Sequence, residues 1–207
     1  MKMLAHSVLL AMGMAISAGA NASLLGLYGD DDTSPLSIPP APGSPNDYAP
    51  LQGVDGFIGG HLFNTSSSAI KVTYEYVFKE ASLNNTFWVG DTQVFSGNPS
   101  ATTYSEVVSS LADLTFSFRT NIYGDPHRSD NVRDSAYQNS DEVTYNFFLY
   151  EAGENLWYAA LDDGRNGPDD NHDDMIIRIT AVSVPEPVSL GLMGLGLLGM
   201  GAFRRRS

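Results

Sequence analysis

The segment Ile70-Lys71-Val72-Thr73-Tyr74-Glu75-Tyr76-Val77-Phe78-Lys79 alternates apolar and polar side chains along its length. Ile70, Val72, Tyr74, Tyr76 and Phe78 therefore share one face, the period of a half-buried strand and the wrong period for a helix. The same grammar recurs. Thr86-Phe87-Trp88-Val89 and Gln93-Val94-Phe95 flank a hairpin-like Gly90-Asp91, and a short turn with glycine is what tight β-hairpins require. Leu114 to Arg119 alternates again, and Val143 to Tyr150, Leu156 to Leu161 and Met175 to Val182 are β-branched and aromatic runs. Only Glu106 to Asp113 offers a short helix. Many short strands parted by turn residues specify an all-β fold, an antiparallel β-sandwich over residues 53–183.

The two ends of the chain obey different rules. Lys2, an apolar stretch from Val8 to Ile16 and the small-x-small triplet Ala20-Asn21-Ala22 form a secretory signal peptide over residues 1–22. Signal peptidase then leaves a mature chain starting near Ser23. Residues 184–207 hold Pro185-Glu186-Pro187, an uncharged run from Val188 to Phe203, and Arg204-Arg205-Arg206. As a helix that run reaches about 24 Å, short for a hydrocarbon core of about 30 Å unless the bilayer thins. The arginines hold its end on the cytoplasmic side. The alternative, a buried C-terminal core helix, gives no reason for arginines only at the tip.

This tripartite tail resembles the PEP-CTERM sorting signal of Gram-negative bacteria. The resemblance implies processing by an exosortase near Pro185, Glu186 and Pro187. It implies an inner-membrane-anchored precursor and a final place at the cell surface or in the extracellular matrix.

Residues 23–52 read as an irregular leader. An acidic cluster, Asp30-Asp31-Asp32, precedes Pro35, Pro39, Pro40, Pro42, Pro45 and Pro50, a composition that favours an extended segment without a ladder. The ends contain one of the chain's 24 acids (Glu186) and four of its 11 bases (Lys2, Arg204, Arg205, Arg206), so the exported part carries a net charge of −16. Such a surface repels nucleic acid and anionic headgroups and attracts cations. With no cysteine, disulfides, Cys-based zinc sites and thiol nucleophiles are excluded. An exported domain of this kind is held by its core or by bound metal.

Charge concentrates between the last two strands. Residues 162–174 contain six aspartates and two asparagines. Ca2+ suits them, since it takes six to eight oxygen ligands, while the EF-hand spacing is missing. Asp169, Asn171 and Asp173 share an alternating spacing and converge on one ion with Asp162 or Asp163 from the preceding strand end. Asp174 caps the loop or takes the ion from its other side. The plainer alternative is a solvated acidic turn.

The stretch from Tyr158-Ala159-Ala160-Leu161-Asp162-Asp163 to Asp169-Asp170-Asn171-His172-Asp173-Asp174-Met175-Ile176-Ile177-Arg178-Ile179 resembles the closing motif of the DUF4114-type domain. Residues 78–87, with Glu80-Ala81, Asn85 and Phe87, resemble an upstream segment of that domain. The resemblance implies a β-rich exported domain.

Other residue types carry weaker signals. His61, His127 and His172 have no zinc spacing, His172 reads as loop-exposed, and Gly124 to Asp130 reads as a polar loop. No G-x-S-x-G elbow or phosphate-binding loop is present. Glu75, Glu80, Glu151 and Glu154 contain no spacing that singles out a glycosidase pair. Trp88 and Trp157 suit either a core or a sugar-stacking face. The expected protein is a non-enzymatic component of the envelope or of an exopolysaccharide biofilm matrix. A carbohydrate-binding module and a matrix polysaccharide hydrolase are the alternatives.

Overall fold

The computed structural model describes residues 23–29, 47–58, 60–80, 83–97, 99–122, 125–131, 146–163 and 172–185. The expected signal peptide, and the apolar run and arginines of the tail, lie outside them. Among the described residues no helix is long and apolar enough to cross a membrane.

The described chain is all-β. Its strands are β1 (Leu25–Gly29), β2 (Gly60–Asn64), β3 (Ile70–Phe78), β4 (Thr86–Val89), β5 (Thr92–Phe95), β6 (Thr103–Val108), β7 (Phe116–Ile122), β8 (Asp125–Asp130), β9 (Asn146–Gly153), β10 (Leu156–Asp162) and β11 (Met175–Ser183). Among the described residues the single helical element is a 3-10 turn at Ala49–Leu51. The strands form a five-stranded sheet in the order β6-β3-β11-β10-β9, a four-stranded sheet in the order β5-β4-β7-β8, and a β1-β2 pair. Every pairing is antiparallel.

Alternation explains the packing. One apolar cluster takes Ile70, Val72 and Tyr74 from β3, Trp157, Ala159 and Leu161 from β10, and Ile177 and Ile179 from β11; from the four-stranded sheet it takes Phe87, Phe95, Phe116 and Phe118. The rings of the two sheets meet: Tyr74–Phe87 at 5.4 Å, Phe116–Phe147 at 5.4 Å and Phe118–Phe147 at 5.6 Å between centroids. A smaller cluster of Leu51, Tyr158, Ala160 and Ile176 covers the other face of the five-stranded sheet, with Tyr48 and Phe78 against it.

Four local expectations are corrected. Phe78 leaves the face of Tyr76, because the β3–β11 register shifts where Ile177 pairs Tyr76 and Ile176 pairs Phe78. A bulge there turns Phe78 to the outer cluster. Glu106 to Val108, the start of the expected helix over Glu106 to Asp113, belong to β6, and the chain turns just after them at Leu111, whose φ is 55°. The expected polar loop before Asn131 contains β8, which pairs with β7 despite Pro126; proline is tolerated on a sheet edge, and β8 is an edge. The proline-rich leader contains β1, paired to β2, and the 3-10 turn that carries Leu51 into the outer cluster.

The segment that follows the leader lies close on the sheet. Phe57 and Leu149 exchange backbone hydrogen bonds of 2.7 and 2.8 Å. At Gly56 a Cβ would collide with the Phe148 ring and the Leu149 carbonyl. Gly56→Ala is therefore expected to destabilise the fold by about 2 kcal/mol, the scale of overpacking. Chemical denaturation measures it, and an unchanged midpoint would show that this approach is not needed.

Candidate metal centre

Antiparallel pairing gathers three strand ends at one edge of the five-stranded sheet. Leu161 of β10 pairs with Met175 of β11, and Ile176 of β11 pairs with Phe78 of β3. Asp162-Asp163, His172-Asp173-Asp174 and Lys79-Glu80 are thus carried to the same corner. The leader arrives there too, because the Asp47 N–H donates to Asp173 Oδ2 at 2.7 Å.

Asp173 is fully buried. Its backbone carbonyl accepts from the Glu80 N–H at 3.2 Å. Its second carboxylate oxygen, Oδ1, is buried and has no hydrogen-bond partner. Asp47, Glu80 and Asp173 each present a carboxylate oxygen, and the three lie within 4.8 Å of one another. Asp47 and Glu80 are exposed on their outer sides.

The remaining acids make a second, adjoining set. Asp174 Oδ2 accepts from the Asp163 N–H at 2.7 Å, and the Asp174 N–H donates to the Leu161 carbonyl at 3.1 Å. The Asp163 carboxylate accepts from the Asn85 side-chain amide. Asp162 and Asp163 are buried. Burial, more than anything else, pushes the Asp174 carboxyl up to about 7; the Asp163 N–H opposes that rise, and the charges of Asp163, Asp162 and Asp173 add to it.

Asp162, Asp163, Asp173 and Asp174 therefore share one corner, while Asp169 and Asn171, the other residues of the expected calcium loop, lie outside the described residues. Asp173 is grouped with Asp47 and Glu80 rather than with its own loop alone. Nothing in the sequence marks Asp47, isolated in the proline-rich leader. Glu80 stands in the sequence as one glutamate among several and as part of the segment 78–87 compared with the DUF4114-type domain, and neither marks it as a ligand. His172 is not loop-exposed: it is 6% exposed, with its ring 5.5 Å from that of Phe148.

The aromatic and glutamate candidates fall elsewhere. Trp157 is 1% exposed and belongs to the core. Trp88 is half-buried, and the Arg119 guanidinium lies 4.2 Å from its ring. Glu75 pairs with Arg178 on the outer face of the sheet. The Asn64 side chain is buried, donating to the Ser68 and Ser109 carbonyls at 3.0 and 2.8 Å. Its amide is thus a structural tie.

Residues 183–206 match the PEP-CTERM protein-sorting motif. Such a tail marks an exported chain with a membrane-anchored precursor that an exosortase sorts to the cell surface. The match begins at Ser183, the last residue of β11. No curated protein and no solved structure matches the chain. The resemblance of residues 78–87 and 158–179 to the DUF4114-type domain finds no support in these comparisons.

Proposed function

We propose that the chain is a non-enzymatic β-sandwich protein of the cell envelope or extracellular matrix. It is exported by its signal peptide, released to its destination by exosortase, and stabilised by Ca2+ at its acidic corner. The observation that carries this reading is the sorting motif at residues 183–206, joined to a strand of the folded domain without an intervening linker.

Other features support the reading. The aromatic contacts between the two sheets support a sandwich, since they are what face-to-face packing would give. Trp157, one of the two tryptophans weighed for sugar stacking, belongs to the core. Glu75, one of the glutamates weighed for glycoside hydrolysis, is engaged by Arg178. An exported part of net charge −16 attracts divalent cations, which favours a place among acidic matrix components.

Sorting is testable directly. The full chain, tagged just after Ser23, is followed by mass and by membrane fractionation in a PEP-CTERM-bearing Gram-negative host with and without its exosortase. The expected result is a shortened chain outside the inner membrane in the first host and an uncut, inner-membrane precursor in the second. Pro185→Ala/Glu186→Ala is expected to reproduce the second result. Identical mass and location in both hosts would sink the proposal.

A further inference from the structure

We propose that Asp47, Glu80 and Asp173 form a divalent-cation clasp, selective for Ca2+, that fastens the end of the leader to the ends of β3 and β11. This deepens the calcium part of the proposed function and does not depend on the sorting tail. It differs from the loop site expected from the sequence in two of its three ligands.

Three observations meet at this point. First, the three carboxylate oxygens lie within 4.8 Å of one another. That is the widest separation of two oxygens bound to one calcium at about 2.4 Å. Like charges so close repel one another unless a cation or protons intervene. Second, Asp173 is wholly buried, yet its Oδ1 has no donor. A carboxylate oxygen hidden from water without a partner is unfavourable, and a cation set among the three carboxylates would supply one. Third, the backbone already draws the ligands together. The Asp47 N–H holds Asp173 Oδ2 at 2.7 Å, and the Glu80 N–H holds the Asp173 carbonyl at 3.2 Å.

The donor set selects the ion. All-oxygen, all-carboxylate ligation suits hard cations and not the nitrogen and sulfur preferences of zinc or copper. Magnesium gives up its water reluctantly and usually binds with a phosphate beside one or two carboxylates. Calcium accepts an irregular shell, and the exposed outer sides of Asp47 and Glu80 leave room for water to complete it. Two exposed ligands place the affinity in the range of extracellular modules, a Kd of roughly 10⁻⁴–10⁻³ M.

The clasp has a structural purpose. Asp47 and Asp173 stand 126 residues apart in the chain, and a clip that closes so long a loop stabilises more than one closing a short loop. Asp47 leads straight into Tyr48 and the 3-10 turn, whose Leu51 belongs to the outer cluster. Fixing Asp47 therefore holds the cover on the outer face of the sheet.

The test uses the full chain in detergent, with CaCl2 or chelator, read by melting temperature and by calorimetric titration of calcium. At calcium tenfold above its Kd the wild-type chain is expected to melt about 3–6 °C higher than in chelator. Asp47→Asn and Glu80→Gln, both at exposed positions that keep their backbone N–H groups, are each expected to lose most of that rise. Asp162→Asn/Asp169→Asn is expected to keep it. A rise that survives in Asp47→Asn and Glu80→Gln but vanishes in Asp162→Asn/Asp169→Asn would overturn the clasp and leave calcium in the loop. No rise and no heat of binding in the wild-type chain would overturn both.

Discussion

Replacing Phe87 with alanine is expected to lower the melting temperature of the full chain by roughly 10 °C. Phe87 is fully buried, and its ring stands 5.4 Å from Tyr74, 5.9 Å from Phe95, 5.5 Å from Phe116 and 5.2 Å from Phe118. It touches aromatic rings of β3, β5 and β7, so it is one of the contacts that join the two large sheets. Truncation removes its transfer free energy and leaves a hole that four rigid rings cannot close, a loss of about 3–5 kcal/mol. At this chain length each kcal/mol is worth about 2–4 °C. Phe87→Leu, which refills most of the volume, is expected to cost less than half as much. Circular dichroism on the two variants decides the matter. A drop below about 3 °C for the alanine variant would mean that the sheets do not depend on this contact.

The second large effect belongs to a polar side chain. Asn131 is fully buried and behaves as a length of extra backbone. Its Oδ1 accepts from the Leu62 N–H at 2.6 Å, while its Nδ2 donates to the Leu62 carbonyl at 2.9 Å and the Leu114 carbonyl at 2.6 Å. It thereby ties β2 to the entry of β7. Asn131→Leu keeps the bulk and strands these groups, each costing about 1–3 kcal/mol when buried and unmet. Summed with partial relaxation, the expected destabilisation is about 3 kcal/mol. Asn131→Asp keeps the acceptor but aims a carboxylate at two carbonyl oxygens, and is expected to be at least as damaging. Urea denaturation should show a lower midpoint with an unchanged slope. Stability within about 0.5 kcal/mol of wild type would refute the bridging role.

The sequence disclosed whatever depends on near neighbours. β3, the β4–β5 hairpin with Gly90 at φ 54° and the last two strands follow from alternation and turn residues alone. What alternation cannot carry is a partner chosen across the fold. β8 is polar and contains Pro126, so no local pattern marks it; its ladder with β7 does. β1 is five residues in a leader rich in proline, and its strand character comes from pairing with β2. Phe78 was assigned to the wrong face because a bulge is a property of two strands in register, not of one.

The candidate site divides along the same line. The acidic loop was visible because its aspartates are neighbours in sequence. Asp47 and Glu80 were not, because they meet Asp173 only after three strand ends and the leader converge. Their contribution is a product of topology, and no spacing rule would have selected them.

β11 lies between β3 and β10, and the sorting motif starts at its final residue. A tether pulled from residue 184 would draw on β11 along its own axis. Two hydrogen-bonded ladders then share the load in shear, and their bonds must yield together rather than open one by one like a zipper. Val184 adds a last peg, its N–H donating to the Ala69 carbonyl at 3.4 Å. An anchor on an edge strand such as β6 would peel. A tether placed on an inner strand would load two ladders at once rather than one.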